Sequence, residues 1–134
     1  MKTPTDLRIL NLIFKLYSKT FESFSKESKT RETKIYVPIN IDTIGNKLKV
    51  DGDIIFGRLY YHLNKIYSYW HDDGSKVEFF SRVIGNDINC IQFPLMVSVL
   101  ADLKYENRKF KVVTIIAIIS LIISLISITI SIFS

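Results

Sequence analysis

Residues 41–63, Ile41-Asp-Thr-Ile-Gly-Asn-Lys-Leu-Lys-Val-Asp-Gly-Asp-Ile-Ile-Phe-Gly-Arg-Leu-Tyr-Tyr-His-Leu63, decide how the folded part of this chain is built. The apolar anchors Ile41, Ile44, Leu48, Val50, Ile55, Leu59 and Leu63 are spaced to fit a short helix, a tight turn and a second helix. Gly45 stands where two such helices cross closely, Val50 plugs the turn, and Asp53 is placed to cap the second helix. Upstream, Leu7, Leu10, Phe14, Tyr17, Phe21 and Phe24 recur at steps of three and four, which predicts a helix opened by Thr5 or Asp6. Residues 25–34 carry six charges and no large apolar side chain, so they read as a mobile, solvated loop. Residues 34–39 form a brief β-branched run that Pro38 confines to an edge strand or a strand end.

Beyond the helix pair, β-rich runs at 67–71 and 77–83 flank Asp72-Asp73-Gly74-Ser75, and Gly85-Asn86-Asp87 separates 77–84 from 88–93. Two turn signals between such runs predict two or three hairpin strands. Pro94 is suited to a first helical turn, and Met96, Val99, Leu100 and Leu103 form a helical stripe after it. The order helix, short strand, helix pair and hairpin over about residues 5–104 resembles winged helix-turn-helix domains. That resemblance implies an α+β fold with a small β-hairpin wing. Lys49 departs from the pattern, because the turn of such domains usually carries Gly.

The charges stop at Lys111. Residues 1–111 hold all 18 Lys and Arg and all 13 Asp and Glu, and the net charge of the whole chain is +5. From Val112 to Phe133 there are 22 residues, 16 apolar and six Ser or Thr, with no Gly or Pro. A helix of that length rises about 33 Å, enough to cross a hydrocarbon layer of about 30 Å. A folded part of some 110 residues has too little mass to surround such a helix on every side, which argues against a buried soluble helix. The expected organisation is a folded domain over 1–104, a basic juxtamembrane helix over 105–111 and a transmembrane helix over 112–133. With only Ser134 after the span, the arrangement predicted is a tail anchor. With no Gly or Pro after Pro94, one continuous helix is expected to run from the domain into the bilayer.

Lys104, Arg108, Lys109 and Lys111 lie just before the span, and positive flanks stay on the cytoplasmic side. The early apolar run at 7–17 contains Arg8 and Lys15 and lacks a small-residue cleavage site, so it is read as folded and not as a signal peptide. The single Cys90 suits a reducing compartment. Ile supplies 22 of 134 residues beside abundant Lys, Ser and Asn, the usage of an AT-rich coding sequence. Together these predict a single-pass protein with its domain in the cytoplasm, at a bacterial inner membrane.

Two binding surfaces are expected. The winged-helix resemblance implies that Arg58, Tyr61, His62 and Lys65 of the second helix would enter a DNA major groove, with Lys76 and Arg82 of the wing on phosphates. Electrostatics weigh against DNA, because Asp51 and Asp53 open that helix and removing the four juxtamembrane cations leaves a net charge of only +1. Those four serve topology and anionic lipid. Within the span, Ala117, Ser120, Ser124, Ser127 and Ser131 fall on one face, with Ser134 continuing it. Such a stripe suits close parallel packing of a homo-oligomer, although serine hydroxyls can equally bond their own helix.

Catalysis is not expected. His62 and His71 are nine apart, Cys90 stands alone, and neither a metal-ligand spacing, a nucleophile motif nor a phosphate-binding glycine loop is present. No cofactor, metal or small-molecule substrate is therefore predicted. The leading expectation is a membrane-anchored interaction or regulatory module that holds a cytosolic protein partner at the bilayer. The alternatives are a membrane-tethered DNA-binding transcriptional regulator and a small membrane-active effector. Tyr60, Tyr61, Tyr67, Tyr69, Trp70, Phe79 and Phe80 exceed what a small core needs, and any exposed remainder would suit a partner surface.

Overall fold

In the computed structural model, which describes residues 2–134, the first helix is α1, Asp6–Glu22. Thr5 caps it, its hydroxyl accepting from the Arg8 N–H at 3.2 Å, and Ile9, Leu10 and Ile13 form its buried face. Strand β1, Tyr36–Pro38, lies at the edge of its sheet, and Pro38 offers no N–H to a further neighbour there. Helix α2, Ile41–Leu48, opens on Asn40, whose side chain accepts from the Thr43 N–H at 3.0 Å.

Lys49 ends α2 in the left-handed region, at φ 59° and ψ 40°, where Gly is the usual occupant. The Val50 N–H then reaches back to the Gly45 carbonyl at 2.9 Å, which closes the turn. Only a residue without Cβ fits at 45, since a Cβ there would stand 2.8 Å from the Val50 carbonyl oxygen. The next helix is capped by Asp51, whose carboxylate accepts from the Asp53 N–H at 2.8 Å. This corrects the sequence expectation: Asp53 lies inside the helix, because the left-handed residue at 49 brings the chain into helical geometry two residues earlier. That helix comprises α3, Gly52–Gly57, a π-helical stretch, Arg58–Leu63, and α4, Asn64–Tyr67. Ile55, Leu59 and Leu63 carry its core face.

Two antiparallel ribbons follow. β2, Tyr69–Trp70, pairs with β3, Lys76–Val77, around a turn in which the His71 N–H donates to the Ser75 carbonyl at 2.8 Å. β4, Phe80–Ile84, and β5, Asp87–Gln92, form a second hairpin whose turn uses Gly85 at φ 59°. β5 also pairs with β1, giving a three-stranded sheet of order β1-β5-β4 with Val37, Phe80 and Ile91 in register across it. All three side chains are fully buried. Asn64 ties helix to sheet: its side-chain oxygen accepts from the Phe80 N–H at 3.0 Å and from the Ser68 hydroxyl at 2.7 Å.

Within residues 25–34, expected to be a mobile solvated loop, 25–30 are exposed, whereas the guanidinium of Arg31 is buried. Arg31 donates to the carbonyls of Thr20 at 3.0 Å, Phe21 at 3.3 Å, Thr33 at 3.0 Å and Lys34 at 3.2 Å, and it covers the ring of Phe24. A cation on the last carbonyls of α1 satisfies acceptors that a helix end leaves open. Burial pushes the Arg31 pKa down, opposed by the Asp87 carboxylate.

The last element is α5, Phe93–Phe133, a single helix of 41 residues that buries Phe93, Met96, Val99 and Leu100. The chain divides into one compact unit ending at Leu100 and a second over Ala101–Ser134. The architecture is thus mixed helix and sheet with one long apolar C-terminal helix.

Candidate functional site

The part of α5 beyond Lys111 carries the plainest functional signal. It is the one helix among the described residues long and apolar enough to cross a membrane; its most apolar window has a mean hydropathy of 2.8 and none of that window is buried. Every side chain from Lys104 onward is exposed. Contiguous apolar surface on this scale is rarely left in water by soluble proteins, and the helix is long enough to place it in a bilayer.

Four of the six hydroxyls inside this stretch donate to their own helix. Ser124 donates to the Ser120 carbonyl and Ser127 to the Ile123 carbonyl, both at 3.0 Å. Thr114 and Thr129 do the same to Phe110 at 2.9 Å and Leu125 at 3.0 Å. Such i−4 bonds let hydroxyls enter lipid at little cost. Ala117, Ser120, Ser124, Ser127 and Ser131 lie along one face of the helix, and two of the four serine hydroxyls have the intrahelical partner that makes self-association unnecessary for their burial.

The candidates for a DNA surface are distributed differently. Arg58 donates to the Pro4 carbonyl at 2.8 Å and forms an ion pair with Asp6, and His62 Nε2 lies 3.7 Å from the other oxygen of the same carboxylate. The structure therefore draws Arg58 and His62 to the start of α1. Lys76 lies over the Trp70 ring at 5.4 Å and Arg82 over Tyr60 at 5.8 Å. Tyr61 packs edge-on against Phe56 and Tyr60 yet remains 70% exposed, and Lys65, four residues later, is exposed as well. Two of the six are thus gathered by an acid and two sit over aromatic rings.

Comparison with protein-family models, curated proteins and solved structures returns no match.

Two apolar features of the first unit remain. An open groove of about 340 Å³ is lined by Phe14, Ser18, Phe21, Phe93, Pro94 and Val97 among others, with the Phe21 and Phe93 rings stacked 4.8 Å apart. The two hairpins expose Tyr69 and Trp70 on one and the cross-strand pair Val83 and Ile88 on the other, each roughly half to two-thirds accessible. Sequence reading found the aromatic excess but not which rings are free of the core. Phe79 and Phe80 are wholly buried, whereas Trp70 lies outside.

Among the described residues no group of three His, Cys, Asp or Glu could hold a metal ion. Cys90 is buried in β5, and desolvation, with a contribution from Asp87, pushes its thiol up to about 11. A thiol so protonated is a poor nucleophile at neutral pH. Arg31 and the Asn64–Ser68 pair, which sequence reading passed over, serve the backbone: their partners are carbonyls and amide N–H groups of this chain.

Proposed function

We propose that this chain is a membrane-anchored winged-helix interaction or regulatory module that crosses the bilayer once and holds a protein partner at its cytosolic face, in a bacterial inner membrane. The observation carrying the proposal is the uncharged run over 112–133, continuous with α5 and exposed throughout. The winged-helix part is supported by element order and by a sheet in which the strand between the first two helices pairs with the second strand of the hairpin. The cytosolic orientation is supported by Lys104, Arg108, Lys109 and Lys111 ahead of the run. Exposed Trp70, Tyr69, Val83 and Ile88 supply apolar surface of the kind that partner proteins cover.

A membrane-tethered DNA-binding role has less support, because Arg58 is engaged by Asp6 and Lys76 and Arg82 each lie over an aromatic ring. The test is alkaline extraction of membranes from bacteria expressing the full chain, followed by detergent co-purification. Retention in the pellet, with protein and no nucleic acid recovered alongside, is the expected outcome. Release into the supernatant would refute the anchor. Salt-sensitive nucleic acid in the eluate would favour the regulator.

A further inference from the structure

We infer that the helical segment just before the apolar run binds the headgroups of anionic phospholipids along one face, formed by Lys104, Arg108 and Lys111. The inference rests on the anchor reading above and adds to it a ligand class and a geometry. Residues 101–111 are helical and, apart from half-buried Leu103, exposed, so their placement round the axis follows from 3.6 residues per turn. Lys104, Arg108 and Lys111 then fall within about 60° of one another. Asp102 and Glu106 lie about 180° away, and Lys109 lies with them, three residues after Glu106. The segment is therefore divided by charge: three cations on one side, two carboxylates with the fourth cation on the other.

This division decides which cations attract phosphate. The positions three and four residues from Arg108 and from Lys111 hold no carboxylate, so no intrahelical ion pair competes for them. Lys109 has Glu106 within that reach. Depth agrees. At 1.5 Å per residue Lys111 adjoins the apolar run, Arg108 stands about 6 Å from its first residue and Lys104 about 12 Å. The headgroup layer of a leaflet is roughly 5–8 Å thick, so the first two lie within it and the third reaches it along its own stem. Exposed Tyr105 and Phe110 bring aromatic rings to the same depth, where such rings partition. Charge complementarity selects the occupant: a phosphodiester lipid carrying net negative charge over a zwitterionic one.

The experiment uses the full chain reconstituted into vesicles that contain spin-labelled phosphatidylglycerol or phosphatidylcholine, with the motionally restricted lipid read by electron paramagnetic resonance. At low salt phosphatidylglycerol should be enriched severalfold over phosphatidylcholine next to the protein, and the preference should fall toward parity near 1 M salt, where screening acts over about 3 Å. Arg108→Gln or Lys111→Gln should lower the preference by up to about fivefold each. Lys109→Gln, an identical loss of charge on the other face, should lower it much less. Parity in the unmodified chain, or an effect of Lys109→Gln equal to that of Arg108→Gln, would overturn the inference while leaving the anchor intact. Failure of the chain to float with the vesicles at alkaline pH would instead refute the anchor, and this inference with it.

Discussion

Replacing Arg31 by Met removes a buried charge and keeps most of the apolar stem, which makes it a direct probe of how the first unit is held. Arg31 donates four hydrogen bonds to carbonyls, two of them at the end of α1 and two within residues 33–34. Bonds from a charged donor each contribute about 1.5–3 kcal/mol net. Two considerations reduce the total. The burial that lowers the guanidinium pKa has its own desolvation cost, and the freed carbonyls of Thr20 and Phe21 at the helix end can recover water. The net loss should therefore be about 2–4 kcal/mol, a value in the range seen when a buried hydrogen-bond network is broken. For a domain of about 100 residues that lowers Tm by at least about 10 °C. The assay is thermal and urea unfolding of the full chain in mild detergent, followed by far-ultraviolet circular dichroism, with Lys29→Met in the same loop as comparator. A loss below about 0.5 kcal/mol, no larger than for an ordinary surface substitution, would refute the claim that Arg31 fastens the loop.

Other perturbations separate close packing from conformational freedom. Gly45→Ala should cost about 1–3 kcal/mol, because its methyl would meet backbone atoms of Val50 and Gly52 at 2.8 and 3.2 Å. Gly57→Ala in the adjoining helix, where the nearest atom is a Tyr61 ring carbon at 3.8 Å, should instead gain about 0.5–1 kcal/mol; unfolding of the two variants side by side checks the contrast. Cys90 should resist alkylation in the folded chain at pH 8, as read by mass spectrometry, and react at once in denaturant. With the native thiol raised to about 11 from 9.0, the folded state holds its proton longer, so stability should fall as pH rises through that interval.

The parts of this fold legible in the sequence are those in which burial repeats with a fixed period. The stripe from Leu7 to Phe21 and the anchors from Ile44 to Leu63 show themselves because a helix returns a residue to the core every third or fourth step. The apolar run after Lys111 is legible for a simpler reason, since its length, its apolar composition and its lack of charge are read directly from the residues. Contacts between distant positions were not legible. Arg31 looks like one charge among six in a polar loop, and only folding brings it to carbonyls ten and eleven residues earlier. Arg58 reads as a free cation until Asp6, 52 residues away, takes its guanidinium. The cap at Asp51 was misplaced because Asp51 and Asp53 are both suitable acids, and the choice depends on the backbone of Lys49. The first ribbon is shorter than its β-rich flanks suggest: Ser68 and Asn64 bond the Phe79 and Phe80 amides, which leaves two residues per strand for pairing.

The π-helical stretch Arg58–Leu63 has its own consequence for surface chemistry. Widening the helix by one residue per turn lets a single ring, Phe56, be met by two successive tyrosines, Tyr60 at 5.3 Å and Tyr61 at 6.1 Å. Tightening this stretch to regular pitch with no residue lost would rotate everything beyond it by about 100°. Lys65 and Ile66 would then exchange their present outlook for another, so the extra residue acts as a rotational setting for the outward-facing end of this helix.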